Sequence, residues 1–149
     1  MDAYGHVNNV QFLRLLEDAR VVAFAAAGTD EGGSLVDTGV LVARSEIEYL
    51  EPLVYRTAPV AIDLWVTRLA GASFDMGYEV LDEDDVLDGA LDEKGRPSAA
   101  RPSVYARAET TLVLYDMVAH RPRRMTPGER ARLEEWSDGP VAWRQRRGR

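Results

Sequence analysis

Four stretches of the chain alternate apolar with polar residues, and one earlier stretch follows a helical period instead. From Asn8 or Asn9 to about Ala27, apolar residues recur at Phe12, Leu13, Leu15, Leu16, Ala19, Val22, Ala23 and Ala26. Val21, Phe24, Ala25 and Ala27 widen that stripe near its end, so the predicted helix is covered on most sides. An asparagine suits the N-cap, where its side chain accepts from an orphan backbone N–H, and Gly28 suits the position just past the C-terminus. The polar remainder, Arg14, Glu17, Asp18 and Arg20, includes the i,i+4 pair Arg14 and Asp18.

The alternating stretches read as long strands. Residues 39–50 place Leu41, Ala43, Ile47 and Tyr49 on one face, and residues 58–69 place Val60, Ile62, Leu64 and Val66 there. Residues 73–81 do the same with Phe74, Met76, Tyr78 and Val80, and residues 103–115 with Val104, Ala106, Ala108, Leu112 and Leu114. Only the short Gly71-Ala72 break separates the second and third runs, which predicts a hairpin. Residues 82–102, acidic and then rich in Gly, Pro, Ser and Ala, predict a long loop that folding does not need. Thr126, Pro127 and Glu129 announce a second helix to about Trp136: a capping Thr, a Pro at the first helical position, and an acid two residues after it. A buried helix followed by four strands predicts an α+β domain over residues 1–136, an antiparallel sheet curled around a helix. Its outer edge is left free for a partner subunit. An arginine-rich tail, expected to fray, occupies residues 137–149.

Composition narrows the function. The chain has 149 residues, 46% of them apolar and 29% charged, which fits one globular domain. It has no cysteine, so disulfides, thiolate zinc sites and cysteine nucleophiles are excluded. Two histidines, His6 and His120, are too few to anchor a first-row metal without scattered carboxylates, and no metal or other cofactor is expected. A net charge of −7 and the lack of a basic recognition helix argue against nucleic acid. No apolar run approaches the ~20 residues of a membrane span, and the start is no signal peptide, so a cytoplasmic protein is expected. The charge is uneven: seven carboxylates lie between Asp82 and Glu93, and nine arginines face four acids from Arg121 to Arg149. Each block reads first as a solvated loop or tail.

Dinucleotide, Walker, zincin and nucleophile-elbow motifs are absent. The distinctive segment is the first twenty residues, Asp2-Ala3-Tyr4-Gly5-His6-Val7-Asn8-Asn9, then Phe12, then Glu17-Asp18-Ala19-Arg20. It sets a carboxylate on a tight glycine loop that feeds into a helix N-terminus with unpaired N–H groups and a partial positive charge. Hydrolysis of an activated acyl group suits that pairing. A plain helix-proximal cap at Asp2 suits the same residues.

The stretch from Asp2 to Arg20 resembles the signature of hotdog-fold acyl-CoA thioesterases of the 4-hydroxybenzoyl-CoA thioesterase type. That pattern runs Asp, two variable residues, Gly-His-Val-Asn-Asn, an aromatic three residues on, and Glu-x-x-Arg on the helix. Weaker similarity continues through Ile47 to Leu53, Gly71 to Phe74, Thr110 to Asp116, and Arg121 to Pro127. The resemblance implies a hotdog fold and hydrolysis of an acyl-CoA to free acid and coenzyme A, without cofactor, in a homodimer or homotetramer. It matches Asp2 to the catalytic carboxylate, as nucleophile or general base, and Asn9 to the backbone N–H that polarises the thioester carbonyl. His6 and Asn8 match positions that shape the loop, with a chemical role for His6 left open. Phe12, Ser73 and Phe74 fall along the substrate path, and Arg121, Arg123 and Arg124 offer themselves to the coenzyme's phosphates. Glu17 sits where some related enzymes place their acid, with Arg20 or Arg14 as its alternative partner. Two other readings stand beside hydrolysis: a hotdog hydratase or dehydratase, and a non-catalytic acyl-CoA-binding protein. The family carries a strand before that Asp, whereas this sequence starts inside the motif, and a missing first strand would expose a sheet edge.

Overall fold

The computed structural model describes residues 5–27, 39–83 and 102–144. Helix α1 (Asn9–Ala26) is followed by strands β1 (Val40–Tyr49), β2 (Val60–Leu69), β3 (Ser73–Asp82), β4 (Val104–Asp116) and the short β5 (Arg121–Pro122). Helix α2 (Pro127–Glu135) closes the regular structure. The sheet runs β1-β4-β3-β2, antiparallel at every step, with β5 on the far end of β4. The expected α+β architecture is therefore present, including the β2–β3 hairpin. Gly28 and most of the acidic stretch fall outside the described residues.

One face of the sheet carries the core. Phe74, Met76, Tyr78 and Val80 of β3, with Ala106, Ala108, Leu112 and Leu114 of β4, are all buried, which matches the alternation in both runs. Helix α1 lies on that face through Phe12, Leu16, Arg20 and Phe24, successive i,i+4 positions that stack on one side of a helix. Phe24 meets Phe74 at 6.0 Å and stacks on Trp136 at 6.2 Å, joining both helices to the sheet. Arg20 is buried in the same row, and its guanidinium donates to the Tyr78 hydroxyl at 3.1 Å. Burial pushes the Tyr78 hydroxyl pKa up, so it stays a neutral acceptor. Arg20 thus turns to the sheet rather than to Glu17, which is exposed.

Two strands depart from their sequence patterns. In β1 the register shifts between Val42 and Arg44, and Leu41, Val42 and Tyr49 remain exposed although alternation assigns Leu41 and Tyr49 to the core side. For Leu41 the reason is that shift, which pairs it with Val113 on the face away from α1. Val42 opposite Leu112 and Tyr49 opposite Ala106 lie instead on the core side of an edge strand with nothing on its outer side among the described residues. β2 is the other edge, and among the described residues only Val66 is bridged there, to Ser137.

Residues 137–144 correct the expectation of a frayed tail. Val66 N–H donates to the Trp136 carbonyl at 2.8 Å, and Asp138 N–H returns to the Val66 carbonyl at 3.0 Å. The segment then crosses the sheet face opposite α1. Trp65 Nε1–H donates to the Gly139 carbonyl, and Arg107 donates to the Ala142 carbonyl at 2.6 Å. Val141 is buried over Gly77, and the Arg144 N–H reaches the Glu48 carboxylate at 3.0 Å. The strap spans β2, β3, β4 and β1 in turn, and Gly77 gives it room: a Cβ there would stand 2.9 Å from Val141 Cγ2.

Candidate active site

The turn that leads into α1 is clamped before the helix begins. Gly5 has φ +81°, in the left-handed region that glycine enters without steric cost. Its carbonyl accepts from the Tyr55 N–H at 3.2 Å, His6 bridges Val54, and the Val7 N–H donates to the Leu53 carbonyl at 2.8 Å. Asn8 is then extended, and its side chain accepts from the Gln11 N–H at 3.1 Å, making Asn8 rather than Asn9 the N-cap. The N–H groups of Asn9 and Val10 have no intrahelical acceptor, as at every helix start. They stand at the positive end of an 18-residue helix.

These residues border a cavity of about 450 Å³ shared with the end of β1 and the segment after it. Its lining includes His6, Asn8, Asn9, Phe12, Tyr49 and Leu50. Phe12 forms an apolar floor, and Tyr49 meets it edge-on at 5.3 Å. Burial raises the Tyr49 pKa, so the wall presents a neutral hydroxyl near neutral pH. Val7 and Leu53 also line a second groove of about 830 Å³, between α1 and β2. The smaller cavity therefore offers orphan backbone donors beside an apolar floor, a place that favours negative charge on a bound oxygen.

The structure brings four of the expected site residues together: His6, Asn8, Asn9 and Phe12. Asp2 lies outside the described residues. The remaining candidates are at the other end of the sheet. Tyr49 pairs with Ala106, whereas Phe74 pairs with Leu112 and Ser73 with Val113, six or seven residues further along β4. Phe74 is fully buried against Phe24, so within one chain it is core and lines neither cavity. Arg121 pairs with Asp116 at that same far end. Arg123 grips Glu129 through two bonds, at 2.9 and 2.6 Å, and its own pKa rises with that bonding. Glu129 in turn accepts the Thr126 N–H at 2.8 Å and completes a capping box, so Arg123 holds the start of α2.

Tyr49, Leu50 and Leu53 are site residues that the sequence reading passed over. They lie in the run from Ile47 to Leu53, where weak similarity was the only signal. Among the described residues there is no cluster of three His, Cys, Asp or Glu side chains fit to hold a metal. No described helix is long and apolar enough to cross a membrane.

Comparison with solved structures reproduces this architecture. A predicted thioesterase from Bacillus stearothermophilus is 19% identical, with a TM-score of 0.69 over 93% of this chain and 89% of that one. A thioesterase superfamily protein from Jannaschia is 20% identical, with a TM-score of 0.65 over 89% and 73%. At such identity the likeness carries the fold alone. A thioesterase from Thermus thermophilus, solved with coenzyme A and zinc, is 26% identical, with a TM-score of 0.63 over 89% and 87%. No curated protein matches the chain. The family model of the thioesterase-like superfamily matches residues 1–136, the sheet, both helices and the turn before α1 together, and the chain belongs to that superfamily.

Proposed function

We propose that the protein is an acyl-CoA thioesterase whose catalytic residues come from the sequence segment Asp2 to Asn9. The observation that carries this reading is the orphan Asn9 N–H at the border of a largely apolar cavity, in a chain whose sequence sets a carboxylate, Asp2, seven residues earlier. The thioester carbonyl oxygen faces the helix start, where negative charge developing on it is stabilised. The Asp2 carboxylate either attacks the carbonyl carbon or takes a proton from water that does. The carbon–sulfur bond breaks and coenzyme A leaves as the thiolate. In the first route water then hydrolyses the acyl-aspartyl anhydride, so both routes give the free acid and coenzyme A. His6 and Asn8 shape the turn, and Phe12 keeps the floor dry.

The working unit is proposed to be a homodimer or a dimer of dimers in the cytoplasm. Support comes from apolar residues left exposed around α1 and the edge strand β1: Val10, Leu13, Leu41, Val42 and Tyr49. Trp65 and Tyr105, on the outward positions of β2 and β4, are engaged within the chain, since Trp65 holds the strap and Tyr105 donates to Asp82 at 2.6 Å.

Release of free thiol from short, long and aromatic acyl-CoAs tests the reading. Turnover of at least one class supports it. A folded protein that binds acyl-CoA and hydrolyses none overturns it in favour of a binding protein.

A further inference from the structure

The strap ends beside the candidate active site. Past Val141 and Ala142 it reaches the end of β1, where the Arg144 N–H is held by Glu48 and one guanidinium NH₂ donates to the Leu50 carbonyl at 3.3 Å. Leu50 lines the cavity that His6, Asn8 and Asn9 border. The Arg144 side chain is exposed there and forms no ion pair among the described residues. Arg56, Arg68, Arg107 and Arg123, by contrast, each hold a carboxylate within 2.7 Å. Arg123 and Arg121, expected from sequence to meet phosphate, stand at the opposite end of the sheet.

We infer that Arg144 is a binding residue for the phosphorylated adenosine end of a coenzyme A ester, delivered to the cavity rim by the C-terminal strap. This rests on the thioesterase reading for the identity of the ligand. A chain of net charge −7 repels a polyphosphate overall, so attraction has to come from a local cation. Arginine suits the task because its fork donates to two phosphate oxygens at once. Bonds from the strap to β2, β4 and β1, with Val141 packed over Gly77 of β3, fix the backbone on which Arg144 sits, which lowers the ordering cost of binding. In sequence Arg146, Arg147 and Arg149 follow, and removing residues 145–149 asks separately whether they add to the attraction.

The experiment compares KM for an acyl-CoA with KM for the same acyl group on pantetheine, which lacks the nucleotide. Arg144→Gln is expected to raise KM for the CoA ester about tenfold, the scale of one charge-assisted hydrogen bond, with kcat unchanged. KM for the pantetheine ester should not move, and Arg144→Lys should recover part of the loss. An equal rise for both esters, or no rise for either, overturns the inference. Calorimetry with adenosine 3′,5′-bisphosphate serves as a readout without turnover. A wild type that binds it through Arg144 but hydrolyses no thioester sinks the hydrolase reading and leaves this one standing. A wild type that hydrolyses acyl-CoA, with bisphosphate binding indifferent to Arg144, does the reverse.

Discussion

The indole N–H of Trp65 donates to the backbone carbonyl of Gly139 across 2.7 Å, tying the middle of an edge strand to a segment 74 residues further on. Beside it, Gly77 leaves the space in which the Trp65 ring and Val141 fit together: an added Cβ would lie 2.7 Å from Trp65 Cε2 and 2.9 Å from Val141 Cγ2. Gly77→Ala should therefore push the ring and the strap off the sheet. The expected cost is about 1–3 kcal/mol, the range for overpacked sites. Trp65→Phe keeps most of the packing and loses the hydrogen bond, for about 1 kcal/mol. Chemical denaturation with unchanged m-values checks both, and a Gly77→Ala protein as stable as wild type would show that the strap does not bind this face in solution.

The acid limb of stability should depend on Glu129. Burial raises its pKa, but bonds from Arg123 and the Thr126 N–H outweigh burial and hold it below the usual glutamate range. Asp75 follows the same logic: burial raises it, and bonds from Arg68 and Thr111 bring it below the ordinary value. A depressed carboxyl pKa stabilises the fold fully above the unfolded-state value. That stabilisation is lost as pH falls from there through the folded value, because the unfolded chain binds the proton first. Glu129→Gln should lower stability by about 1–3 kcal/mol at neutral pH and flatten the slope below about pH 4.5. Urea titrations at several pH values measure this, and an unchanged acid slope would remove Glu129 from the account.

Much of the fold was legible because both periods were clean. Phe74 to Val80 alternates strictly, Ala106 to Leu114 does so apart from buried Thr110 and outward Val113, and Thr126 with Glu129 forms the capping box that their spacing announces. Strand β1 misled because alternation records which residues are apolar, not whether a neighbour covers them. Leu41 and Val42 stand just before a register shift that swaps their faces, on an open edge. The strap was illegible for a different reason. Its hold on the sheet comes from backbone bonds at Trp136 and Asp138, a single buried Val141 and one glycine on a distant strand, none of which forms a periodic signal. At the site, Asn8 and Asn9 could be read from the turn. Leu50 and Arg144 could not, because a carbonyl and an arginine 94 residues apart meet only in three dimensions.

The edge of β1 sets the expected assembly. Since the strap crosses the face opposite α1, sheet-to-sheet stacking through that face would displace Val141 and Trp65 from their contacts. Association along β1 and the flank of α1 requires no such displacement and covers Leu13 and Val42. Val42→Lys should then weaken the dimer without unfolding the chain, since a charge on an open edge opposes strand pairing. Light scattering should report about twice the 16.6 kDa chain mass, or four times, for wild type, and a lower mass for the variant. A wild type of single-chain mass at micromolar concentration would remove the interface.

The second edge makes a different prediction. Strand β2 faces a groove of about 830 Å³ whose walls include Leu15, Ala19, Val22, Ile62 and Leu64, and only Val66 of β2 is bridged on its outer side among the described residues. An apolar slot beside free strand N–H and C=O groups is a template for one more strand. A designed segment of alternating Val and Thr fused ahead of residue 1 should pair there and raise Tm by several degrees, while the same residues in scrambled order with two prolines should not. Equal melting temperatures for the two fusions would mean that the groove does not take a strand.

Asp2→Asn addresses the chemistry directly. Asparagine keeps the size and capping capacity of Asp2 but can neither attack the thioester nor accept a proton from water. If the carboxylate acts in the transition state alone, its loss lowers kcat and leaves substrate binding nearly unchanged. General-base catalysis is worth roughly 10²–10⁴ in rate, so the variant should turn over at least about 100-fold more slowly. The helix start at Asn9 remains in place and should leave a measurable residue of activity. Circular dichroism and calorimetric titration with a non-hydrolysable acyl-CoA analogue show whether fold and binding survive. Near-normal turnover in Asp2→Asn would shift the chemistry to His6, whose imidazole borders the cavity, and Asp2→Asn/His6→Gln would then be the variant that falls silent.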